Sequence, residues 1–314
     1  MLNNLQLQSQ STNAIMMVRP SKFGYNPETA ETNAFQTADN GDNKIEISKK
    51  AVQEFDHFCL ALKSIGVEVF VMHDTNDVIR PDAIFPNNWI SFHENGTVVT
   101  YPMYSPNRRT ERREEFLDSL KLVYDIDHRY SFEFYEDEDK FLEGTGSMIL
   151  DRTNKIVYAC LSPRTNIFLL DKFCLLMGYK LVSFYAYDKD GKAIYHTNVI
   201  MCIADQYAVV CLECISDLEQ RKAVADSLQS QNKEIIEITL DQVYNFAGNM
   251  LQVTGMDHEK FLILSETAFK SLSKQQKVAI EKYNKLVPIA IPTIEKFGGG
   301  SVRCMMAEIF LPKK

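Results

Sequence analysis

Short apolar segments recur along the chain in pairs, each pair split by a polar turn and followed by an amphipathic stretch and a third apolar segment. The clearest copy starts at His196. Residues 196–203 and 207–215 are rich in β-branched side chains and are separated by Ala204-Asp205-Gln206, the pattern of a hairpin. Helical spacing follows over 217–230, and 234–238 reads as a strand, which gives the order β-β-α-β. The same order predicts a hairpin over 147–160 turning at 151–155, a helix near 166–177 and a strand near 180–186. It predicts strands 89–92 and 97–101 around Glu94-Asn95-Gly96, a helix over 109–120 and a strand over 121–126; Asn-Gly is a strong hairpin signal. It also predicts strands 250–254 and 260–264, a helix over 267–283 and a strand over 287–291.

A fifth copy is divided between the ends: a strand within 302–311, then strand 14–18, helix 48–63 and strand 67–72. One polar residue introduces each copy, and these residues, Asn88, Glu143, His196, Asn249 and Cys304, lie 55, 53, 53 and 55 positions apart. A period of this length marks a repeat architecture with equivalent positions in each copy. Joining the two ends closes the repeat into a ring and removes the open sheet edges. The expected fold is α/β, one domain over 14–314, with the five polar residues meeting at the centre of the ring.

Composition changes this picture little. The chain is 45% hydrophobic and 24% charged, an ordinary globular mix, with a formal charge of −8. That balance argues against a nucleic-acid partner, because it repels phosphate backbones. The run from Arg108 to Arg113 is interleaved with Glu111, Glu114 and Glu115 and reads as a solvated helix start. Residues 1–13 are rich in Asn, Gln and Ser, carry no export signal, and are expected to fray. No apolar run approaches the roughly 18 residues of a membrane span, so no membrane partner is expected. Seven cysteines, an odd number, suit a reducing cytoplasm better than a disulfide framework. Cys211 and Cys214 fall in the apolar stretch 207–215 without a second pair at ligand spacing, so no metal is expected there.

The candidate chemistry lies in the periodic residues. Cys304 ends the glycine-rich stretch Gly298-Gly299-Gly300-Ser301-Val302-Arg303, where glycines allow a tight turn and close approach of backbone to ligand. A thiolate there would be a strong nucleophile, and a buried structural cysteine is the alternative. His196 is the one histidine in phase with the repeat; an ordinary pKa of about 6.5 suits it to proton transfer. Glu143 follows an apolar pair and precedes glycines, unlike the run Glu136 to Asp139, which reads as solvent-facing.

These residues in their motifs resemble the pentein, or guanidino-group-modifying, superfamily, which includes dimethylarginine dimethylaminohydrolase, arginine deiminase and glycine amidinotransferase. The resemblance runs from about residue 14 to 310. It is closest to the citrulline-utilising hydrolase branch, through Val18-Arg19-Pro20, Phe23-Gly24-Tyr25-Asn26 and Phe85-Pro86-Asn87-Asn88-Trp89. It implies a five-bladed α/β propeller, with Cys304 as nucleophile, His196 of Tyr195-His196-Thr197-Asn198 as proton-transfer residue and Glu143 of Leu142-Glu143-Gly144-Thr145-Gly146 as the acid orienting the imidazole. It further implies that Asp82, in Pro81-Asp82-Ala83-Ile84-Phe85, holds a substrate α-amino group. Arg108, in Ser105-Pro106-Asn107-Arg108, and Arg164, in Ser162-Pro163-Arg164-Thr165, match arginines that in dimethylarginine hydrolases serve the carboxylate end and the site, and each is equally readable as a surface helix start.

The departures narrow the substrate. In the families it resembles, arginine-using members carry an aspartate where this chain has Asn88, and deiminases and amidinotransferases carry another where it has Asn198. A charge-assisted hydrogen bond contributes about 1.5–3 kcal/mol and a neutral one about 0.5–1.5, so two such exchanges disfavour a guanidinium by a factor on the order of 100 or more. The expected reaction is therefore hydrolysis of a ureido amino acid, citrulline first, through a carbamoyl thioester on Cys304, giving ornithine, ammonia and carbon dioxide without cofactor. Guanidine chemistry and a non-catalytic binding ring are the rival readings. The partner is expected to be a small amino acid; the oligomeric state is left open, a homodimer included. Pro20, Gly24, Pro27 and Gly41 make 19–47 a loop that could cover the pocket.

Overall fold

The computed structural model describes residues 8–38, 41 and 43–314, and contains five three-stranded sheets. Each sheet is built in the same way, with the first strand antiparallel to the second and the second parallel to the third. Blade one joins Ile90–Phe92, Thr97–Thr100 and His128–Ser131. Blade two joins Ile149–Asp151, Ile156–Cys160 and Lys180–Phe184. Blade three uses Met201–Ile203, Tyr207–Val210 and Glu234–Glu237, and blade four Leu251–Thr254, Lys260–Ser265 and Lys285–Ile289. Blade five is shared by the ends: Ala307–Glu308 pairs antiparallel with Ala14–Arg19, which pairs parallel with Glu68–His73. The divided fifth copy read from the sequence is therefore present.

Burial falls from first strand to third. The first strands of blades one, two and three are wholly buried, whereas His128–Ser131 is wholly exposed. First strands of neighbouring blades touch, five to one, two to three and three to four, so they form the inner wall. Between second and third strands the chain crosses through a helix, the parallel connection requiring one. The longest helix, Lys44–Ser64, is capped by Asn43 and turns Phe55, Phe58 and Leu62 into the core. Among the described residues no helix is long and apolar enough to cross a membrane.

Several boundaries differ from the sequence reading. The strand predicted over 121–126 is a turn with one bridge from Tyr124 to Lys313, and the third strand lies at His128–Ser131, whose exposed polar residues carry no apolar pattern. The helix predicted over 267–283 is two, Glu266–Ser271 and Lys274–Glu281, because Ser273 and Gln276 form a capping box that starts a new helix. The strand of blade three ends at Val210, leaving Cys211 and Cys214 in a buried 3₁₀ turn with their sulfurs 2.8 Å apart. The segment 19–47 holds the short helix Pro27–Ala30 and the first turn of Lys44–Ser64.

The fraying expected of residues 1–13 is corrected for part of that stretch, residues 1–7 lying outside the described residues. The Gln10 amide donates to the Leu150 carbonyl at 2.9 Å and accepts from the Arg152 N–H at 2.7 Å, while Thr12 accepts from the Thr254 N–H. The Gln10 side chain satisfies backbone groups of blade two and the Thr12 carbonyl one of blade four, so Gln10 is buried because of its polarity.

Candidate active site

The five periodic residues all precede the first strands they introduce, in turns and not on the strands themselves. Asn88 ends a 3₁₀ turn, Pro86–Asn88; Glu143 caps the short helix Gly144–Ser147; His196 precedes the 3₁₀ turn Thr197–Val199, which contains Asn198. Cys304, expected on a strand, lies in the turn before Ala307–Glu308, its N–H bonded to the Ser301 carbonyl. The helix Pro292–Gly298 ends with Gly299 at φ +60°, a left-handed conformation that favours glycine, and a Cβ on Gly299 would stand 2.6 Å from Gln36.

The imidazole and the acid are paired. His196 Nε2 lies 2.7 Å from Glu143 Oε2, and both side chains are buried. Glu143 Oε1 accepts from the Tyr104 N–H at 3.0 Å, and Arg164 Nη1 donates to Oε2 at 3.4 Å. Burial pushes the Glu143 carboxyl up, but the nearby Arg164 and the bond to His196 outweigh it and hold it below the usual carboxylate range. For His196 burial dominates. It pushes the imidazole down from 6.5 to about 4, against the pull of Glu143 and with the help of Arg164 and Arg108. The resting pair at neutral pH is thus a carboxylate and a neutral imidazole.

The sulfur's partners are amides. Asn198 Nδ2 and Asn249 Nδ2 lie 3.4 and 3.3 Å from Cys304 Sγ. Asn249 was legible only as a member of the period; no motif marks it.

Arg108 is buried, a correction to the solvated reading of its run. Its Nε and Nη2 hold Glu111 in a bidentate pair at 2.8 and 2.9 Å, and its Nη1 donates to Asn88 Oδ1 at 2.8 Å. Burial raises the Glu111 carboxyl to about 7, with Arg108 opposing. Sequence reasoning passed over Glu111, whose only signal is its i+3 spacing from Arg108. Since a guanidinium donates and never accepts, it fixes the Asn88 amide with the oxygen toward itself and leaves Nδ2 without a protein partner.

Asp82 Oδ2 accepts from Asn26 Nδ2 at 2.7 Å and Thr29 Oγ1 at 3.1 Å, while Oδ1 is unpartnered. Burial raises its carboxyl above the ordinary range, against Arg108. Arg164 ties the site to the segment above it, through Nη2 to the Thr29 carbonyl at 2.9 Å and Nε to Thr32 Oγ1 at 3.0 Å.

Asp82, Asn88, Arg108, Arg164, His196 and Cys304 all line one cavity of about 20 Å³, room for about one water. Glu143 and Asn198 sit behind it, bonded to His196 and Cys304. Its roof is Thr29, Asn33 and Gln36, the last two bonded to the carbonyls of Gly298 and Gly299. In this conformation the space is too small for an amino acid. A larger cavity, about 690 Å³, lies beside the start of Lys44–Ser64, but it is lined by Phe23, Tyr25, Ile47 and Ile79 and holds none of these groups. Among the described residues no cluster of His, Cys, Asp or Glu could hold a metal ion.

Gly146 lies against both key groups. A Cβ there would stand 2.4 Å from Asn88 Nδ2 and 2.9 Å from His196 Nδ1. Gly146→Ala is expected to displace the imidazole and lower kcat by about 100-fold, as ångström-scale misplacement of reacting groups does. Wild-type kcat in a folded Gly146→Ala protein would show that this tight packing does not set the chemistry.

The family described as N,N dimethylarginine dimethylhydrolase, eukaryotic, matches residues 19–311. No curated protein is significantly similar to the chain. Among solved structures, the N-terminal domain of ArgZ, an arginine dihydrolase from the ornithine-ammonia cycle in Cyanobacteria, is similar with a TM-score of 0.74. Its identity is 18%, over 95% of this chain and 98% of that one. AgrE in complex with L-arginine has a TM-score of 0.74 at 15% identity, covering 96% of this chain and 40% of its own. The DDAH of Pseudomonas aeruginosa in complex with citrulline has a TM-score of 0.63 at 14% identity, covering 95% and 99%. At these identities the solved structures establish the fold, and the match over 19–311 establishes the kinship: the chain belongs to the N,N dimethylarginine dimethylhydrolase family, within the pentein superfamily of guanidino-modifying enzymes, as a hydrolase of carbon–nitrogen bonds.

Proposed function

We propose that the protein hydrolyses the ureido group of an amino acid, citrulline first, through a covalent intermediate on Cys304. The observation that carries this reading is the fixed orientation of Asn88. Its free Nδ2 offers a donor, which a ureido oxygen can accept and a guanidinium, all donors, cannot. Asn198 complements it, since Nδ2 faces the sulfur and Oδ1 is left as an acceptor for the ureido nitrogen.

The chemistry follows from the resting protonation states. Cys304 sulfur attacks the ureido carbon while His196, neutral, takes the thiol proton. The imidazolium so formed is stabilised by Glu143 at 2.7 Å. It returns the proton to the substrate nitrogen as the carbon–nitrogen bond breaks and ornithine departs. A carbamoyl group stays on sulfur. Water, deprotonated by His196, then attacks, the carbon–sulfur bond breaks, and carbamate leaves to decompose into ammonia and carbon dioxide. Asp82 Oδ1 is the acceptor for the α-amino group. Lifting the roof frees Nε and Nη2 of Arg164 for the carboxylate, a role that Arg108, committed to Glu111 and Asn88, does not have.

A second reading is arginine dihydrolysis, in which the ureido step is the latter half; the likeness to ArgZ favours it. Incubation with citrulline, arginine and dimethylarginine, with ornithine, ammonia and citrulline measured, separates the readings. Ornithine from citrulline alone supports the first proposal. Ornithine from arginine as well supports the second, and turnover of dimethylarginine alone would overturn both.

The pH profile is a further check. Because burial holds His196 near about 4, kcat/KM is expected to stay flat on the acid side down to about pH 5 and to fall below it, as the imidazole becomes protonated and can no longer accept the thiol proton. An acid limb centred at the ordinary 6.5 would place the base elsewhere.

A further inference from the structure

Asn249 is held at its oxygen by the turn that carries Cys304 and directs its amide nitrogen at the sulfur. It is 2% exposed and stands before Leu251–Thr254, on a different blade from Cys304. Its Oδ1 accepts from the Arg303 N–H at 3.1 Å, and its Nδ2 donates to the Asn198 carbonyl at 3.1 Å and to Cys304 Sγ at 3.3 Å. Its orientation is not a matter of choice. Arg303 N–H requires an acceptor and the Asn198 carbonyl requires a donor, so the amide can be seated only one way. By contrast, His196 Nε2 is taken up by Glu143. An N–H bond to an anion is stronger than one to a neutral acceptor, so a donor aimed at the sulfur favours the thiolate over the thiol.

We propose that Asn249 is a catalytic residue: it stabilises the Cys304 sulfur as the reacting anion and aims it, with Asn198 as second donor. This rests on the reading of Cys304 as nucleophile, and the test keeps the two separate by using no substrate. Iodoacetamide alkylates a thiolate as sulfur displaces iodide, and mass spectrometry locates the adduct on Cys304.

The decisive variant is Asn249→Asp. A carboxylate keeps the acceptor for Arg303 N–H and nearly the same shape, but removes the donor to sulfur and to the Asn198 carbonyl and puts negative charge beside both. A residue that merely positioned the turn would show the change as lost thermal stability, with the reactivity of the sulfur unmoved. The catalytic role predicts that alkylation of Cys304 at neutral pH slows by about 10- to 100-fold, the loss of a charge-assisted bond. Its pH dependence should move upward, and kcat should fall with KM little changed. Alkylation within two-fold of wild type, in a folded variant, overturns the role. If the variant does not fold, the wild-type protein decides: the Asn249 side-chain N–H resonances must move with the same pH midpoint as the thiolate ultraviolet absorbance. Resonances that ignore that titration overturn the proposal. A wild-type protein whose Cys304 is not alkylated at all refutes the nucleophile reading instead.

Discussion

Cys304→Ala is expected to bring turnover to background, a loss of roughly 10⁵- to 10⁶-fold if the covalent route supplies what nucleophiles supply in other enzymes. The fold should survive. The side chain is small, lies in a turn and fills no large volume of the core. The cost to stability comes from Asn198 and Asn249, whose buried amides lose an acceptor, about 1–3 kcal/mol at most if neither finds another. His196→Ala should reduce turnover comparably, because the proton on the thiol then has no route to the departing nitrogen. Ornithine release and intact-mass measurement on the two variants check this. The His196 variant should still accept a mass adduct from an alkylating agent, and the Cys304 variant should not accept it at that position. Activity within ten-fold of wild type in Cys304→Ala would remove covalent catalysis from consideration.

The second large effect concerns specificity, and the geometry points to one position for testing it. Asn88→Asp leaves Arg108 its acceptor and replaces the unpartnered donor by a carboxylate oxygen, so the change inverts what the site presents while nearly preserving shape. A ureido oxygen is then opposed by an anion. A guanidinium is met by one. Citrulline kcat/KM is expected to fall by about 10-fold or more, and the ratio of arginine to citrulline activity to rise by about 10-fold or more. Asn198→Asp is a poorer test, since it also removes a donor from the sulfur and would confuse specificity with reactivity. An unchanged ratio in folded Asn88→Asp would sink the reading of a neutral substrate.

What could be read from the sequence was local or periodic. Inner strands are buried on both faces and announce themselves as apolar runs, so the first two strands of each blade were legible, and with them the five polar positions that precede them. His128–Ser131 was not, because an outer strand with every residue exposed has no apolar alternation to detect. Nor were the charges that tertiary structure pairs. Glu136 sits in an acidic run and reads as solvated, yet it holds Arg112 at 2.6 Å and accepts from the Met103 N–H at 2.8 Å. Arg108 and Glu111 neutralise each other out of water. Gln10 looks like a disordered tail and is a plug. Asn249 is one asparagine among many until the ring brings it to Cys304, 55 residues away. Except for Arg108 and Glu111, three residues apart, the partner lies far along the chain or on a neighbouring blade, where local spacing carries no information.

The shared fifth blade orders events in time. Ala307–Glu308 can pair with Ala14–Arg19 only after nearly three hundred residues between them have been laid down, the longest loop this topology asks the chain to close. The turn carrying Cys304 immediately precedes that pairing, and its two amide donors belong to blades three and four. Cys304 is therefore expected to be the last of these residues to acquire its surroundings. Unfinished chains would carry a cysteine there without its aimed donors, and reactivity would arrive with ring closure. Refolding followed by thiol alkylation should then show Cys304 gaining its enhanced reactivity in the slowest phase, after the helices have formed, so that competence for chemistry itself reports that the two ends have met.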